Sequence, residues 1–213
     1  MYSVSRLLAE VKQQIAAWCA GGAEAAVNRA RRCRCGAYRH RHGSYVRCLK
    51  VAGQRLELDI TRLYCPKCGT TEAVLPGFVV RRSPYPAGWK EAAIWAYARG
   101  RRGYRPVAAA FRINWELLWQ WVDRAAGMAK DALAQIEALL LRYEPSTAPS
   151  RPRVEVGRRA NRPGKDEQLA CVQALFVQAL RLWEFGWSRG RPWGPPSPDR
   201  LLAFIESCAV VLI

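Results

Sequence analysis

The first segment of the chain carries apolar residues at the spacing of an amphipathic helix. They recur every three or four positions, so that they fall on one face of a helix. The Gly21-Gly22 pair ends the run, because glycine is unfavourable in a helix interior. The apolar face consists of Val4, Leu7, Leu8, Val11, Ile15 and Trp18. These residues predict a packing helix within residues 1–28.

The pattern changes to that of strands in the next segment, residues 29–80. Ser44 to Val51 is rich in strand-forming residues, and apolar and polar residues alternate from Leu56 to Ile60. A period of two is typical of a strand with one buried face. Ala52-Gly53, between the two runs, suits a tight turn. The segment therefore predicts a β-hairpin.

Helical patterns return in the second half of the chain. One helix is predicted from Trp89 to Arg99, and two more with a break between them from Arg105 to about Ala126, continuing to about Leu141. Residues 145–168 are basic and rich in proline, which is typical of a linker. Leu169 to Trp187 then has the pattern of an amphipathic helix.

These elements predict an α+β fold that is mostly α-helical, with a small β-hairpin followed by a helical bundle and further helices. The predicted segments are an N-terminal helix (1–28), a hairpin module (29–80), a helical domain (81–144), a linker (145–168) and a C-terminal helical segment (169–213).

The charge of the chain indicates a polyanionic partner. Lys and Arg number 34 against 17 Asp and Glu, which gives a formal net charge of +17. Basic side chains that neutralise phosphates release condensed counterions, so this balance favours nucleic acid. A genome rich in G and C would also raise the ratio of Arg to Lys, but it would not account for the net charge.

The sequence has neither a signal-peptide pattern nor an apolar run of the ~18–20 residues that a membrane helix needs. We therefore expect a cytoplasmic protein with no membrane partner. Thiols stay reduced in that compartment, and clustered cysteines there are more often metal ligands than disulfides.

Two cysteine pairs have the spacing of metal-binding knuckles. Cys65 and Cys68 are separated by two residues and followed by Gly69, and Cys33 and Cys35 are followed by Gly36. Together they predict a structural Zn²⁺ site of the zinc-ribbon type, with the hairpin between its halves. The single residue between Cys33 and Cys35 makes a cramped knuckle, so Cys48, His40 and His42 remain alternative ligands. Of the other cysteines, Cys19, Cys171 and Cys208 lie in apolar helical contexts and are expected to be buried.

Residues 101–124 have the pattern of a helix-turn-helix. Pro106 suits the first turn of one helix, and Asn114 is a good N-cap for the next. Val107, Ala108, Phe111, Leu118, Trp121 and Val122 are expected to face inward. Residues 81–112 hold eight Lys or Arg and one acid, Glu91. The predicted DNA contacts are Arg99, Arg101, Arg102, Arg105, Arg112, Asn114, Trp115, Gln120 and Arg124. A plain three-helix bundle is the alternative, because the second helix also carries Glu116 and Asp123.

Together these features resemble the N-terminal zinc-ribbon and helix-turn-helix region of bacterial insertion-sequence transposases, and also a stand-alone bacterial family of unknown function with that architecture. The resemblance covers roughly residues 30–125. It is carried by Cys35-Gly36, His42 to Arg47, the Leu56/Leu58/Ile60 strand, Arg62 to Cys68, and Arg105 to Val122. It implies a zinc-stabilised module that recognises the DNA ends of mobile elements.

No catalytic motif is evident in the sequence. The acidic residues after residue 126 do not follow strand-like runs, whereas two-metal chemistry needs carboxylates that converge on rigid elements. We therefore predict a non-catalytic protein that binds double-stranded DNA, as a mobile-element accessory factor or a transposase remnant. One alternative is a protein-interaction or assembly module. Such a module would bind a partner, for example a transposase, through the Trp-rich helix, or it would self-associate through the apolar run from Cys208 to Ile213. The other is an RNA-binding zinc ribbon that stacks bases on Tyr38, Tyr45 and Tyr64.

Overall fold

The computed structural model describes residues 3–100, 102–143 and 163–189. The chain divides into two compact units, unit 1 from Met1 to Pro86 and unit 2 from Ala87 to Ile213. Within the described residues the fold is mostly helical, with six α-helices and one three-stranded antiparallel sheet. The predicted α+β class is therefore confirmed.

Unit 1 begins with two helices joined by a kink. Helix α1 (Val4–Ala17) leads through a π-helical turn (Trp18–Gly22) into α2 (Ala23–Ala30). The predicted apolar face is confirmed, because Leu7, Val11 and Trp18 are buried. Gly21 has a φ of +128°, which only glycine adopts readily. The chain turns at this glycine and then resumes its helix, where the sequence predicted only an end.

The sheet of unit 1 is built around a long hairpin. Strands β1 (His40–Val51), β2 (Gln54–Tyr64) and β3 (Thr71–Ala73) pair in that order. Ala52 and Gly53, the predicted turn, both have positive φ, as a two-residue type I′ turn requires. Strand β1 starts four residues before the predicted Ser44, and an irregularity between Arg41 and Ser44 shifts its register.

One face of this sheet packs on the kinked helices. The core of unit 1 consists of Trp18, Val27, Leu49, Leu58, Ile60, Leu63, Val74 and Val79. Burying an aliphatic side chain contributes about 1.5–3 kcal/mol, so these contacts supply the main attraction between helices and sheet. The Trp18 indole N–H also donates to the carbonyl of Asp59, at 3.3 Å. Arg47 donates to the carbonyls of Val80 and Ser83 and thereby holds the following loop.

Unit 2 is helical throughout its described residues. Its helices are α3 (Ala87–Arg99), α4 (Tyr104–Ala110), α5 (Trp115–Tyr143) and α6 (Pro163–Ser188). Residues 163–168, at the end of the predicted linker, belong to α6, because proline is well tolerated in the first turn of a helix. The rest of that linker and residues 190–213 lie outside the described residues.

Helix α6 is buried along most of its length against α3 and α5. Leu169, Val172, Phe176, Ala179 and Leu182 are all buried. The rings of Trp95 in α3 and Phe176 lie 5.1 Å apart. Gln173 donates to the carbonyl of Ala98 and so satisfies one of the carbonyls at the end of α3.

The cysteines expected to be buried in helices do not all follow that expectation. Cys19 is exposed, because the π-helical turn that places Trp18 in the core leaves the next residue on the outer side. Cys171 is half-buried. Cys208 lies outside the described residues.

Candidate functional site

Four cysteines come together at the end of the hairpin opposite its turn. The sulfurs of Cys33 and Cys68 lie 3.6 Å apart and those of Cys35 and Cys65 3.5 Å apart. All four sulfurs lie within 4.8 Å of one another. A tetrahedron with metal–sulfur bonds of about 2.3 Å has edges of about 3.8 Å, whereas a disulfide would bring two sulfurs to about 2.05 Å. The four-cysteine cluster therefore has the dimensions of a metal site.

The cramped first knuckle closes without strain at its cysteines. The Cys33 N–H donates to the carbonyl of Ala37, and the Gly36 N–H donates to the carbonyl of Cys33, both at 2.9 Å. Gly36 takes the positive φ, +85°, that the turn requires. Both cysteines of the knuckle for which the sequence left other ligands open therefore reach the cluster.

The second knuckle joins β2 to β3. The Cys65 N–H donates to the carbonyl of Thr70, and the Gly69 N–H donates to the carbonyl of Cys65, both at 2.9 Å. Gly69 has a φ of +67°. The Cys68 sulfur lies 3.0 Å from the Thr70 hydroxyl. Sequence reasoning missed Thr70, although its position two residues after the second cysteine of the pair was a usable signal.

Hydrogen bonds to the sulfurs set the protonation of the cluster without a metal. The Thr70 hydroxyl and then its backbone N–H lower the pKa of Cys68 to about 6. The backbone N–H of Cys35 lowers the pKa of Cys33. The backbone N–H of Ala37 also favours the Cys35 thiolate, but hydrogen bonds to the sulfurs of Cys33 and Cys65 favour the protonated thiol and raise the pKa of Cys35 to about 11. A bound cation would take the place of this proton and hold the sulfurs as thiolates.

The donor set of the cluster fits zinc. Four thiolates with tetrahedral dimensions form the closed coordination shell of structural zinc sites, with no position open for a substrate. The alternative ligands lie outside this group. The Cys48 sulfur accepts a hydrogen bond from the Arg55 guanidinium at 3.3 Å, and the His42 ring packs on Tyr64 with centroids 5.4 Å apart. His40 pairs with Tyr64 in the sheet and is likewise not in the cluster.

Helices α4 and α5 form the predicted helix pair, with residues 111–114 as the turn. Phe111 and Leu118 pack inward, and the rings of Phe111 and Trp89 meet edge to face at 5.3 Å. Val107, Ala108, Trp121 and Val122 are buried as predicted. Arg112 has a φ of +50°, which turns the chain sharply between the helices. Both helices of the pair also contact α3, and α6 packs on α3 and α5.

Asn114 caps α5 as the sequence predicts. Its side-chain oxygen accepts the N–H of Glu116 at 2.9 Å, and its amide donates to the Glu116 carboxylate at 3.4 Å. The cap satisfies one of the four backbone N–H groups left unpaired at the start of a helix.

The predicted DNA-contacting residues that the structure describes are all exposed. Arg105 lies over the ring of Trp115 at 5.7 Å, and Arg99 over Trp95 at 6.0 Å. The remaining exposed members are Arg102, Arg112, Asn114, Gln120 and Arg124. Arg101 lies outside the described residues. Exposure leaves these side chains accessible to a partner.

Replacing Asn114 with alanine is expected to destabilise unit 2 by about 1 kcal/mol, because α5 loses its N-cap. Asn114→Asp retains an acceptor oxygen and is the matched control. Urea unfolding followed by circular dichroism measures the difference. Equal unfolding midpoints for the wild type and Asn114→Ala would contradict a capping role.

Comparison with known proteins identifies no family. No protein-family model, no curated protein and no solved structure matches the chain. No helix among the described residues is both long and apolar enough to cross a membrane. What the structure establishes is a four-cysteine group that could hold a metal ion, in a fold resembling a zinc ribbon at that site, next in sequence to a helical unit.

Proposed function

We propose that this chain is a non-catalytic, zinc-stabilised protein that binds double-stranded DNA through its α4–α5 helix pair. The observation that carries the proposal is a group of exposed arginines just before α4, within it and at the turn that follows it: Arg99, Arg102, Arg105 and Arg112. A sharp turn at Arg112 and a cap at Asn114 fix where α5 begins relative to α4, and the side chains at its first turns are exposed. Helix pairs of this kind usually place their second helix in the major groove.

In this proposal the arginines position the protein and α5 reads the bases. Arg99, Arg102, Arg105 and Arg112 contact phosphates, which fixes orientation without sequence information. Asn114 is committed to the cap, so readout passes to Gln120 and Arg124, which lie four residues apart on the exposed side of α5. Gln recognises adenine and Arg recognises guanine by paired hydrogen bonds.

Two acidic residues of α5, Glu116 and Asp123, lie on the helix that we propose reads the bases. Glu116 and Asp123 are exposed on the same part of the helix. An acid repels phosphate but can accept a hydrogen bond from the amino group of cytosine. We therefore expect these two side chains to disfavour most sequences and so to contribute specificity more than affinity.

The biological setting that we propose is a mobile element, with the chain as an accessory factor or a transposase-derived protein. The support is the resemblance of residues 30–125 to transposase N-terminal regions, together with a cysteine cluster whose geometry fits the zinc-ribbon half of that resemblance. The DNA ends of such an element are then the expected target.

One observation favours a protein-interaction module as the second candidate. Trp115 and Trp119 lie one helical turn apart on α5 and are 41% and 39% exposed. Tryptophan is enriched at the energetic centres of protein interfaces. If α5 binds a protein, these two rings would be buried in the complex.

Selection from a pool of random 20-base-pair duplexes with the zinc-loaded full chain tests the DNA-binding proposal. The DNA-binding proposal predicts an enriched sequence, and Gln120→Ala should relax the preference at one position by about 1–3 kcal/mol. Gln135 lies farther along the same helix and is also exposed, so Gln135→Ala is the matched control that should leave the preference unchanged. A chain that retains no duplex, or that retains duplexes without enrichment, contradicts the proposed readout.

A further inference from the structure

We infer that the cysteine end of unit 1 is a second nucleic-acid surface, which binds a single strand. Tyr38 is the stacking platform, and Arg32, Arg34 and Lys67 contact the phosphates. We call these four residues the knuckle surface. It lies on unit 1 and involves none of the residues assigned above to duplex binding.

The first argument is the exposure and surroundings of Tyr38. Its side chain is 59% exposed, on the segment that follows the first knuckle. Arg32 pairs with Tyr38 in an isolated antiparallel bridge, and its guanidinium lies over the ring, 5.7 Å from the centroid. An exposed ring with a guanidinium over it can stack an unpaired base while the cation meets the adjacent phosphate.

The second argument is the excess of positive charge around the cysteine cluster. Arg34 lies between two of the cysteines and is exposed. Lys67 lies between the other two, and its ammonium is 3.5 Å from the carbonyl of Cys35. Arg29 and Arg31 are also exposed in the same segment. Four thiolates and one zinc ion retain about two formal negative charges, which these cations outnumber.

Acidic residues do not offset this charge. The sequence has no Asp or Glu between Glu24 and Glu57, or between Asp59 and Glu72. Glu72 forms an ion pair with Arg39 at 2.7 Å, and Glu24 pairs with Arg41. Glu57 and Asp59 pair across the hairpin with Cys48 and Val46, away from the strand ends that carry the cysteines. The knuckle surface is therefore complementary to a phosphate backbone.

A single strand fits this surface better than a duplex does. A tyrosine ring can stack only on a base whose face is accessible, and the bases of a duplex are covered by their neighbours. A second aromatic pair, His42 on Tyr64, lies on the same end of the sheet, where Tyr64 immediately precedes Cys65. This pair adds a second aromatic position at the cysteine end of unit 1, where a further base could stack.

Fluorescence anisotropy with the zinc-loaded full chain and three probes tests the inference. The probes are a 20-nucleotide oligo(dT), the corresponding oligo(U) and a 20-base-pair duplex. Tyr38→Ala is expected to weaken oligo(dT) binding about tenfold or more, which corresponds to the loss of one stacked base, and Tyr38→Phe should stay within about twofold. Arg32→Glu with Arg34→Glu should weaken single-strand binding further. The tighter-binding of the two single strands identifies whether DNA or RNA is preferred.

The zinc content of each variant is measured as a folding control, and each variant should still bind one zinc per chain. Unchanged oligo(dT) affinity in zinc-loaded Tyr38→Ala overturns the inference, as does an equal loss for oligo(dT) and duplex. Failure of the proposed duplex function gives a different result, in which oligo(dT) binds and the duplex does not. Arg105→Gln with Arg112→Gln should weaken the binding of the duplex and leave the binding of oligo(dT) unchanged.

Discussion

Removing zinc is expected to unfold the hairpin of unit 1 while the four helices of unit 2 persist. The cysteine cluster joins the segment before β1 to the connection between β2 and β3, so it closes the strand ends that the Ala52-Gly53 turn cannot hold. A ligand present at 1,000 times its Kd stabilises the folded state by about 4 kcal/mol, and structural zinc sites bind tightly enough to reach that regime. The loss is a large fraction of the stability of a small unit.

Hydrogen exchange measured by mass spectrometry separates the two units in this experiment. On chelation, peptides that contain Leu58 and Ile60 should lose protection, and peptides from α3 and α6 should keep it. Cys65→Ser is expected to reproduce the effect, because Cys65 is fully buried and belongs to the cluster. Cys48→Ser, a half-buried cysteine of the same hairpin outside the cluster, is the matched control. If Cys65→Ser still binds one zinc per chain and keeps its protection from exchange, Cys65 is not a zinc ligand and the four-cysteine site is contradicted.

Neutralising two arginines of the helix pair is expected to weaken duplex binding by between about tenfold and a hundredfold at 0.1 M salt. Arg105→Gln with Arg112→Gln removes two phosphate contacts, and each contact releases about 0.9 counterion on binding. The slope of log K against log salt concentration should therefore fall in magnitude by about two. Both side chains are exposed, so their removal leaves the core of unit 2 in place.

The control makes the same change in charge on unit 1. Arg6 and Lys12 are exposed on α1. Arg6→Gln with Lys12→Gln should leave the salt slope of duplex binding unchanged. If the two double variants weaken duplex binding equally, only the net charge matters and the helix pair has no special role.

The local parts of the fold could be predicted from the sequence because their causes are local. The start of α5 could be predicted because the Asn114 side chain caps a backbone N–H only two residues further along the chain. The hairpin could be predicted because strand-forming runs with a turn sequence, Ala52-Gly53, between them pair with each other. Cys65 and Cys68 were predictable because two thiols with this spacing can bind one metal without any distant contact.

The remaining features depend on contacts between distant residues. The kink at Gly21 accompanies the docking of Trp18 on the sheet, where its indole donates to Asp59, 41 residues away. That docking also leaves Cys19 exposed. Cys33, and not Cys48, His40 or His42, belongs to the cluster because the turn at Gly36 brings its sulfur next to that of Cys68 in the second knuckle. A periodic pattern carries no information about such pairings, because they are settled only when the helices pack on the sheet.

The most direct test of the central claim is the affinity of the zinc-loaded full chain for a DNA duplex, measured over a range of salt concentrations. The proposal predicts a straight line of log K against log salt, with a steep negative slope that reports several neutralised phosphates. Binding that is absent at low salt, or that does not change with salt, would contradict an arginine surface that holds DNA.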